Sequence, residues 1–471
     1  MRFIQEQKGF LSREKMRWWF YGIPFAALVL SLIGIQFKLT TIRASAGVKR
    51  NTNALVQLSQ DTYTNTSGPD GGPVYHQTGY EPASYSFGST IVSTFQLGRF
   101  AGGGSTNLGW ATSIDGGKSW HTGLLPGTTV YAGGSHAALS NASVAYDPKH
   151  RVWLISYLFV DSATTGGVLH LYGSATAVSR SFDGGLTWSI PTLVSTAQSG
   201  DEAYDKPWMS CDTSTHSPFY GRCYLLWNDI PQIDLSTSTD GGATWGAVKH
   251  SATPFNGVGG SLVVQPDGTV VVVTPENSEP PSLVAFPSTD GGQSWGVTAT
   301  IAAPFGGVGP GTFPSLAEDA DGTLYVAWNS GGENGSSTVL AHSRDGIHWT
   351  VPQVISTNFY DHLALAVDAR TAGLHAHLGL TYYVFGTSAS STTMQPFFIS
   401  STDSGQHWSS AQALSEPISL DWLVPWRRVG DYISMVFNEG RAFPFFVVGT
   451  VRGSNEPYHQ EVYTLNEGIH C

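Results

Sequence analysis

Charge is scarce in this chain. Only 12% of its 471 residues are Asp, Glu, Lys or Arg, about half the share of an ordinary soluble domain. Lysine is rarer still: beyond residue 50 only Lys118, Lys149, Lys206 and Lys249 remain. Residues 1–50 hold nine Lys or Arg and two Glu, which leaves 14 basic and 33 acidic residues in 51–471, a formal charge of −19. A body so short of cations repels a phosphate backbone, so nucleic-acid partners are excluded as a class. Cysteine is nearly absent, with three residues. No Cys or His spacing resembles a zinc site, and no cofactor is expected. Cys211 and Cys223 flank one expected hairpin and can meet across two strands as a disulfide if the body is exported. Two buried thiols is the alternative, and Cys471 has no obvious partner.

Glycine and tryptophan are plentiful instead, with 55 and 15 residues. Tight turns and large buried aromatics suit an all-β protein and weigh against disorder. A short phrase, S-x-D-x-G-x-x-W, recurs: Ser113–Trp120, Ser181–Trp188, Ser238–Trp245, Ser288–Trp295 and Ser401–Trp408. A sixth copy, Ser343–Trp349, is one residue short. The Asp residues lie roughly 50 to 70 residues apart, a period that signals a repeat architecture. As a hairpin corner the phrase makes sense. Ser and Asp accept backbone hydrogen bonds, Gly supplies positive φ, and Trp opens the next strand and buries against a neighbouring unit.

These phrases resemble Asp-boxes, the bacterial neuraminidase repeats of sialidase-like β-propellers. The resemblance covers roughly Asn53 to the C-terminus. It implies an all-β propeller of four-stranded antiparallel blades, with the boxes on outer turns and any site at the hub. Six boxes with seven inner strands favour seven blades, and six is the alternative. The last unit shows three strands, and Asn53–Ser59 is expected to supply the fourth and close the ring. Asp-Gly at 267–268 and 321–322 marks two-residue hairpins. Asp319-x-Asp321-Gly lacks the rest of a calcium loop and reads as a plain hairpin.

Four segments follow. Residues 1–17 form a polar cytoplasmic segment. Residues 18–37 are an uncharged run of 20 residues, long enough to span a bilayer as a signal anchor. Residues 38–52 link it to the propeller at 53–471, placed outside the cytoplasm. Secretion after cleavage near Ala46 is the alternative.

In a propeller the pocket lies where inner strands start and second strands end. Inner-strand starts select Glu81, Asp205, Lys206, Trp208, Asp361, His362, Arg428, Asp431 and Tyr432, with Tyr360 and Arg427 adjacent. Second-strand ends select Arg99, Asp161, Asp229, Glu276 and Arg452. Carboxylates, Arg and Tyr together are the parts of a glycosidase, and convergent Arg suits an anionic sugar. The expected acid or base groups are Glu81, Asp205 and Asp431. Tyr432 would stabilise or attack the reacting carbon. Arg99, Lys206, Arg428 and Arg452 would hold the substrate, with Trp208 as a stacking platform.

The sialidase resemblance implies an Arg-Ile-Pro phrase on the first inner strand, where this chain has Tyr80-Glu81-Pro82. It implies an Asp acid soon after, where Gly98-Arg99-Phe100 stands. Asp205–Trp208 and Gly430–Tyr432 look like phrases of bacterial exported proteins labelled exo-α-sialidase. The expected function is therefore an extracytoplasmic glycoside hydrolase acting on glycans. A non-catalytic propeller binding a glycan or protein, or an assembly factor for a membrane complex, is the alternative.

Overall fold

The computed structural model describes residues 49–471 apart from 51–53, 166, 198–203, 252–253, 256, 304–312, 333–334, 357–359, 386–391, 425–428 and 452–457. The expected membrane span at 18–37 and the site near Ala46 lie outside the described residues. Among the described residues no helix is long and apolar enough to cross a membrane.

The described chain is all-β, with three single-turn 3-10 segments. Seven units of four strands follow one another, and their first strands are Val74–Phe87, Ala138–Asp147, Tyr204–Cys211, Ser261–Val264, Ser315–Glu318, Tyr360–Val367 and Ser434–Asn438. Each unit is an antiparallel meander, and each first strand touches the first strands of the units before and after it, the seventh touching the first. Strands that pack on both faces read as unbroken apolar runs. Val270–Val273 is such a run, buried throughout.

The seventh unit borrows its outer strand. Leu55–Gln57 pairs antiparallel with Tyr463–Leu465, Leu55 opposite Leu465. The fourth strand expected from Asn53–Ser59 is therefore present, and the chain's two ends share one sheet. Cys211 and Cys223 face each other across the first two strands of the third unit and are disulfide-bonded. Asp319 accepts from the N–H groups of Asp321 (3.0 Å) and Thr323 (2.8 Å), so that phrase is a hairpin corner.

The six repeated phrases join third strand to fourth in units one to six, and all are built alike. The Ser hydroxyl donates to Asp Oδ1, at 2.8 Å for Ser113–Asp115 and 2.7 Å for Ser181–Asp183. The same hydroxyl accepts a glycine N–H, 2.8 Å for Gly117. The other carboxylate oxygen takes a side chain just before the Trp: Ser119, Thr187, Thr244, Ser294, His348 or His407, at 2.5–2.7 Å. The short copy keeps the plan because Gly346 N–H reaches Ser343 at 3.0 Å with one residue fewer between them.

The glycines explain the spacing. Gly117, Gly185, Gly242, Gly292, Gly346 and Gly405 all have φ between 70° and 87°. Each also lies against the unit that precedes its own. A Cβ on Gly117 would sit 2.2 Å from Phe443 of the seventh unit, and one on Gly242 would sit 2.4 Å from Leu154 of the second. The corner is thus both a turn and the docking point between units. Trp120 continues that contact, its ring 5.9 Å from Phe445 at 79°.

Gly117→Ala is expected to destabilise the protein by ~3 kcal/mol or more, because strain and collision add. Gly116→Ala carries only the strain, ~1 kcal/mol, since its Cβ would meet nothing within 3.6 Å. Guanidinium unfolding of the pair measures the difference.

Acid is expected to loosen the corners. Slight burial raises the Asp115 and Asp290 carboxyls, but hydroxyl and N–H donors outweigh it and hold both down to about 2. The His407 N–H and ring do the same for Asp403, also to about 2. Depressed values mean stability that is complete above the ordinary value near 3.8 and lost as pH falls through about 2. Tryptophan fluorescence between pH 5 and about 1.5 reads the transition.

Candidate functional site at the hub

The inner strands do not enter the hub smoothly. In the first, second, third and sixth units the register slips next to one residue with positive φ: Glu81 (51°), Asn141 (47°), Lys206 (48°) and His362 (45°). Gly259 (91°) and Gly430 (101°) take the same backbone region just before their own strands. Such bulges turn a side chain out of the sheet alternation. A non-glycine residue in this region is strained by roughly 1 kcal/mol or more, and surrounding contacts must hold it there.

Here the contacts are polar and run between units. Lys206 Nζ donates to Asn141 Oδ1 at 2.7 Å and pairs with the Asp431 carboxylate. Asn141 Nδ2 donates to Asp205 Oδ1 at 2.8 Å. Glu81 accepts the Asp431 N–H at 2.9 Å and takes the Gln96 amide on its other oxygen. His362 Nε2 lies 2.6 Å from the Gly430 carbonyl, which it reaches as a donor. Units one, two, three, six and seven are tied together in this way. Lys206 Nζ also stands 5.4 Å from the Phe313 ring of the fifth.

The sequence-expected residues thus divide. Glu81, Asp431 and Lys206 belong to one network but are interior, at 3%, 2% and 8% exposure. Asp205 joins the same network yet is only half-buried. Tyr432 is half-buried, and its hydroxyl is held by both the N–H (2.8 Å) and the carbonyl (3.1 Å) of Ala142. Burial, then the nearby Glu81 charge, push its pKa well above 10. The Tyr432 hydroxyl thus ties the seventh unit's inner strand to the second's. Trp208 stands edge-on to Tyr432, ring centres 5.7 Å apart, and both line the cavity below.

Arg99 is buried at 6% exposure, with its guanidinium 4.7 Å above the Tyr80 ring. Arg427, Arg428 and Arg452 lie outside the described residues, as do the side chains of Tyr360 and Asp361. Asp229 and Glu276 end their strands half-buried. Asp161 accepts His136 Nδ1 (2.8 Å), the Ser174 hydroxyl (2.6 Å) and the Ala137 N–H (2.9 Å). Burial raises its carboxyl, but these bonds, led by His136, bring it below the usual range.

Behind the network runs a cavity of about 320 Å³ lined by the inner strands of all seven units. Asn141, Lys206 and Tyr432 stand at one end and Glu318 at the other. Asn141, Gln96 and His136 were missed from sequence. Asn141 had a signal, a polar residue on the approach to the inner-strand run that follows it, and it lies at its strand's register slip as Glu81 and Lys206 do at theirs. Gln96 and His136 carried none.

Replacing Lys206 by Met strips the buried Asp431 of its ammonium partner. A loss of ~3–5 kcal/mol is expected, against under ~0.5 kcal/mol for Lys149→Met on the surface. Guanidinium unfolding midpoints check this.

No protein-family model and no curated protein matches the sequence. Among solved structures, the chain is similar to the phage phi92 endosialidase at 12% identity, covering 89% of this chain and 70% of that one with a TM-score of 0.49. It is similar to a Hadza microbial sialidase at 16% identity, covering 80% and 76%, TM-score 0.47. A Dyadobacter fermentans protein of unknown function aligns at 14% identity over 88% of this chain and 98% of its own, TM-score 0.47. Identities this low transfer no residue roles.

Proposed function

We propose that the chain is a seven-bladed, sialidase-like Asp-box β-propeller whose hub mouth binds carbohydrate. In this proposal residues 18–37 anchor it in a membrane and 53–471 lie outside the cytoplasm. The observation that carries the binding reading is the mouth itself. Asp205, a carboxylate that solvent reaches, stands in the hub network beside the Trp208–Tyr432 pair. A sugar offers hydroxyls to a carboxylate and its C–H face to an aromatic ring. The Cys211–Cys223 bond supports the extracytoplasmic placement, since such bonds persist in oxidising compartments.

Hydrolysis is the second reading. A glycosidase uses two carboxyl groups flanking the scissile bond. Of the three hub carboxylates expected to serve, Glu81 and Asp431 are interior and engaged, and Asp205 alone meets solvent. The interior pair is better suited to holding the blades than to meeting a substrate. Binding therefore leads, with Asp205 as the acid or base group if turnover occurs.

A glycan array followed by calorimetry on the best ligand tests this. Trp208→Ala and Asp205→Asn are each expected to weaken binding about tenfold or more, ~1.4 kcal/mol, in protein whose fold is confirmed by circular dichroism at the temperature of the measurement. Unaltered affinity in both variants would remove the hub mouth from the reading.

A further inference from the structure

Six His–Asp pairs occur among the described residues, and five have evident structural roles. His348 and His407 close outer corners with Asp345 and Asp403. His150 bonds Asp147 at the turn between the first two strands of the second unit, away from the hub mouth. His250 pairs with Asp234 on an outermost strand and is 56% exposed. His76 lies between Asp61 and the Asn65 carbonyl, each at 2.7 Å, so both ring nitrogens are engaged.

His136 differs in place and in geometry. It immediately precedes the second inner strand, and Asp161 continues the second strand paired with it, so the pair stands at the hub-mouth end of the sheet. Asp161 is itself fixed by Ser174 and the Ala137 N–H. Its carboxylate accepts from Nδ1, which places the proton on Nδ1 and leaves Nε2 with its lone pair. The ring is laid flat on Phe159, 3.7 Å between centres and 13° between planes. Nε2 makes no hydrogen bond among the described residues, and the side chain is 23% exposed.

The same stretch leads to the hub. Asn141, five residues on, holds the Asp205 carboxylate. Gly173, next to Ser174, packs on the Tyr204 carbonyl, where a Cβ would come within 1.9 Å. His136–Asp161 and Asp205 therefore flank one junction, between the second and third blades.

We infer that His136 is a general base at the hub mouth, with Asp161 as its positioning residue, acting on a water or hydroxyl beside a bound glycan. This rests on the carbohydrate-binding reading and supplies the second proton-transfer group that hydrolysis lacks among the hub carboxylates. Nε2 takes a proton from water as the water oxygen bonds to the anomeric carbon. The glycosidic C–O bond breaks, its electron pair stays on the leaving oxygen, and that oxygen takes a proton from a solvent water. Asp161 stabilises the imidazolium, which then returns its proton to solvent.

The test is turnover of a panel of 4-methylumbelliferyl glycosides by the full chain, with glycan binding measured in parallel. His136→Gln is expected to lower kcat about 100-fold or more with KM little changed. Asp161→Asn is expected to lower kcat similarly. Long-range ¹H–¹⁵N spectra should show the Nδ1–H tautomer of His136 in the native protein and its loss in Asp161→Asn. Native turnover that survives His136→Gln, or a native Nε2–H tautomer, overturns the inference and leaves carbohydrate binding standing. Glycan binding without turnover by the native chain overturns it too. Neither binding nor turnover removes both.

Discussion

A ring of seven meanders holds only if each unit comes close to the one before it, and that approach is made through backbone without a side chain. One positive-φ glycine in each repeated corner reverses the strand and rests on the preceding unit, where a methyl group would collide with Phe443, Leu154 or Leu235. The aspartate and serine of the corner satisfy the N–H groups that this geometry exposes. One eight-residue device thus settles turn, hydrogen bonding and inter-unit contact at once. The seventh unit has no such corner because its outer strand arrives from the other end of the chain.

The hub follows the opposite principle. The corners relieve strain with glycine, whereas at the hub strained backbone carries Glu81, Asn141, Lys206 and His362, and polar contacts between units keep it there. A charge that bridges blades is costly to remove from water unless its partner is well placed. The arrangement turns most hub charge into closure, and of Glu81, Asp205 and Asp431 it leaves Asp205 in reach of solvent. The function proposed for the mouth accordingly draws on its aromatic pair, Trp208 and Tyr432, and on groups just outside the lock, His136 among them.

The outer architecture was readable because its signals are local. Ser, Asp, Gly and Trp fall within eight residues, and their recurrence set the number of corners. The missing strand of the seventh unit was inferred from Asn53–Ser59 by counting. The hub was less legible. The Glu81–Asp431 contact spans 350 residues and the Lys206–Asp431 pair spans 225. A rule based on strand starts brought these residues to one place, but not their partners. Nothing in one strand tells that the Asp431 carboxylate will meet a lysine from another or that the Tyr432 phenol will meet Ala142. His136 was invisible for the same reason: its partner lies across a strand pair, and a lone His before a strand has no distinguishing pattern.

Leu55–Gln57 leaves the ribosome long before its partner Tyr463–Leu465 has been made. Six meanders can mature in order of synthesis, each finding its strands close by, while this opening segment waits with its amide edge unsatisfied. Circularity is thus achieved once Tyr463–Leu465 has been made and not before. A translation product stopped short of residue 460 would keep every repeated corner and still be an open arc, with sheet edge bare at both tips.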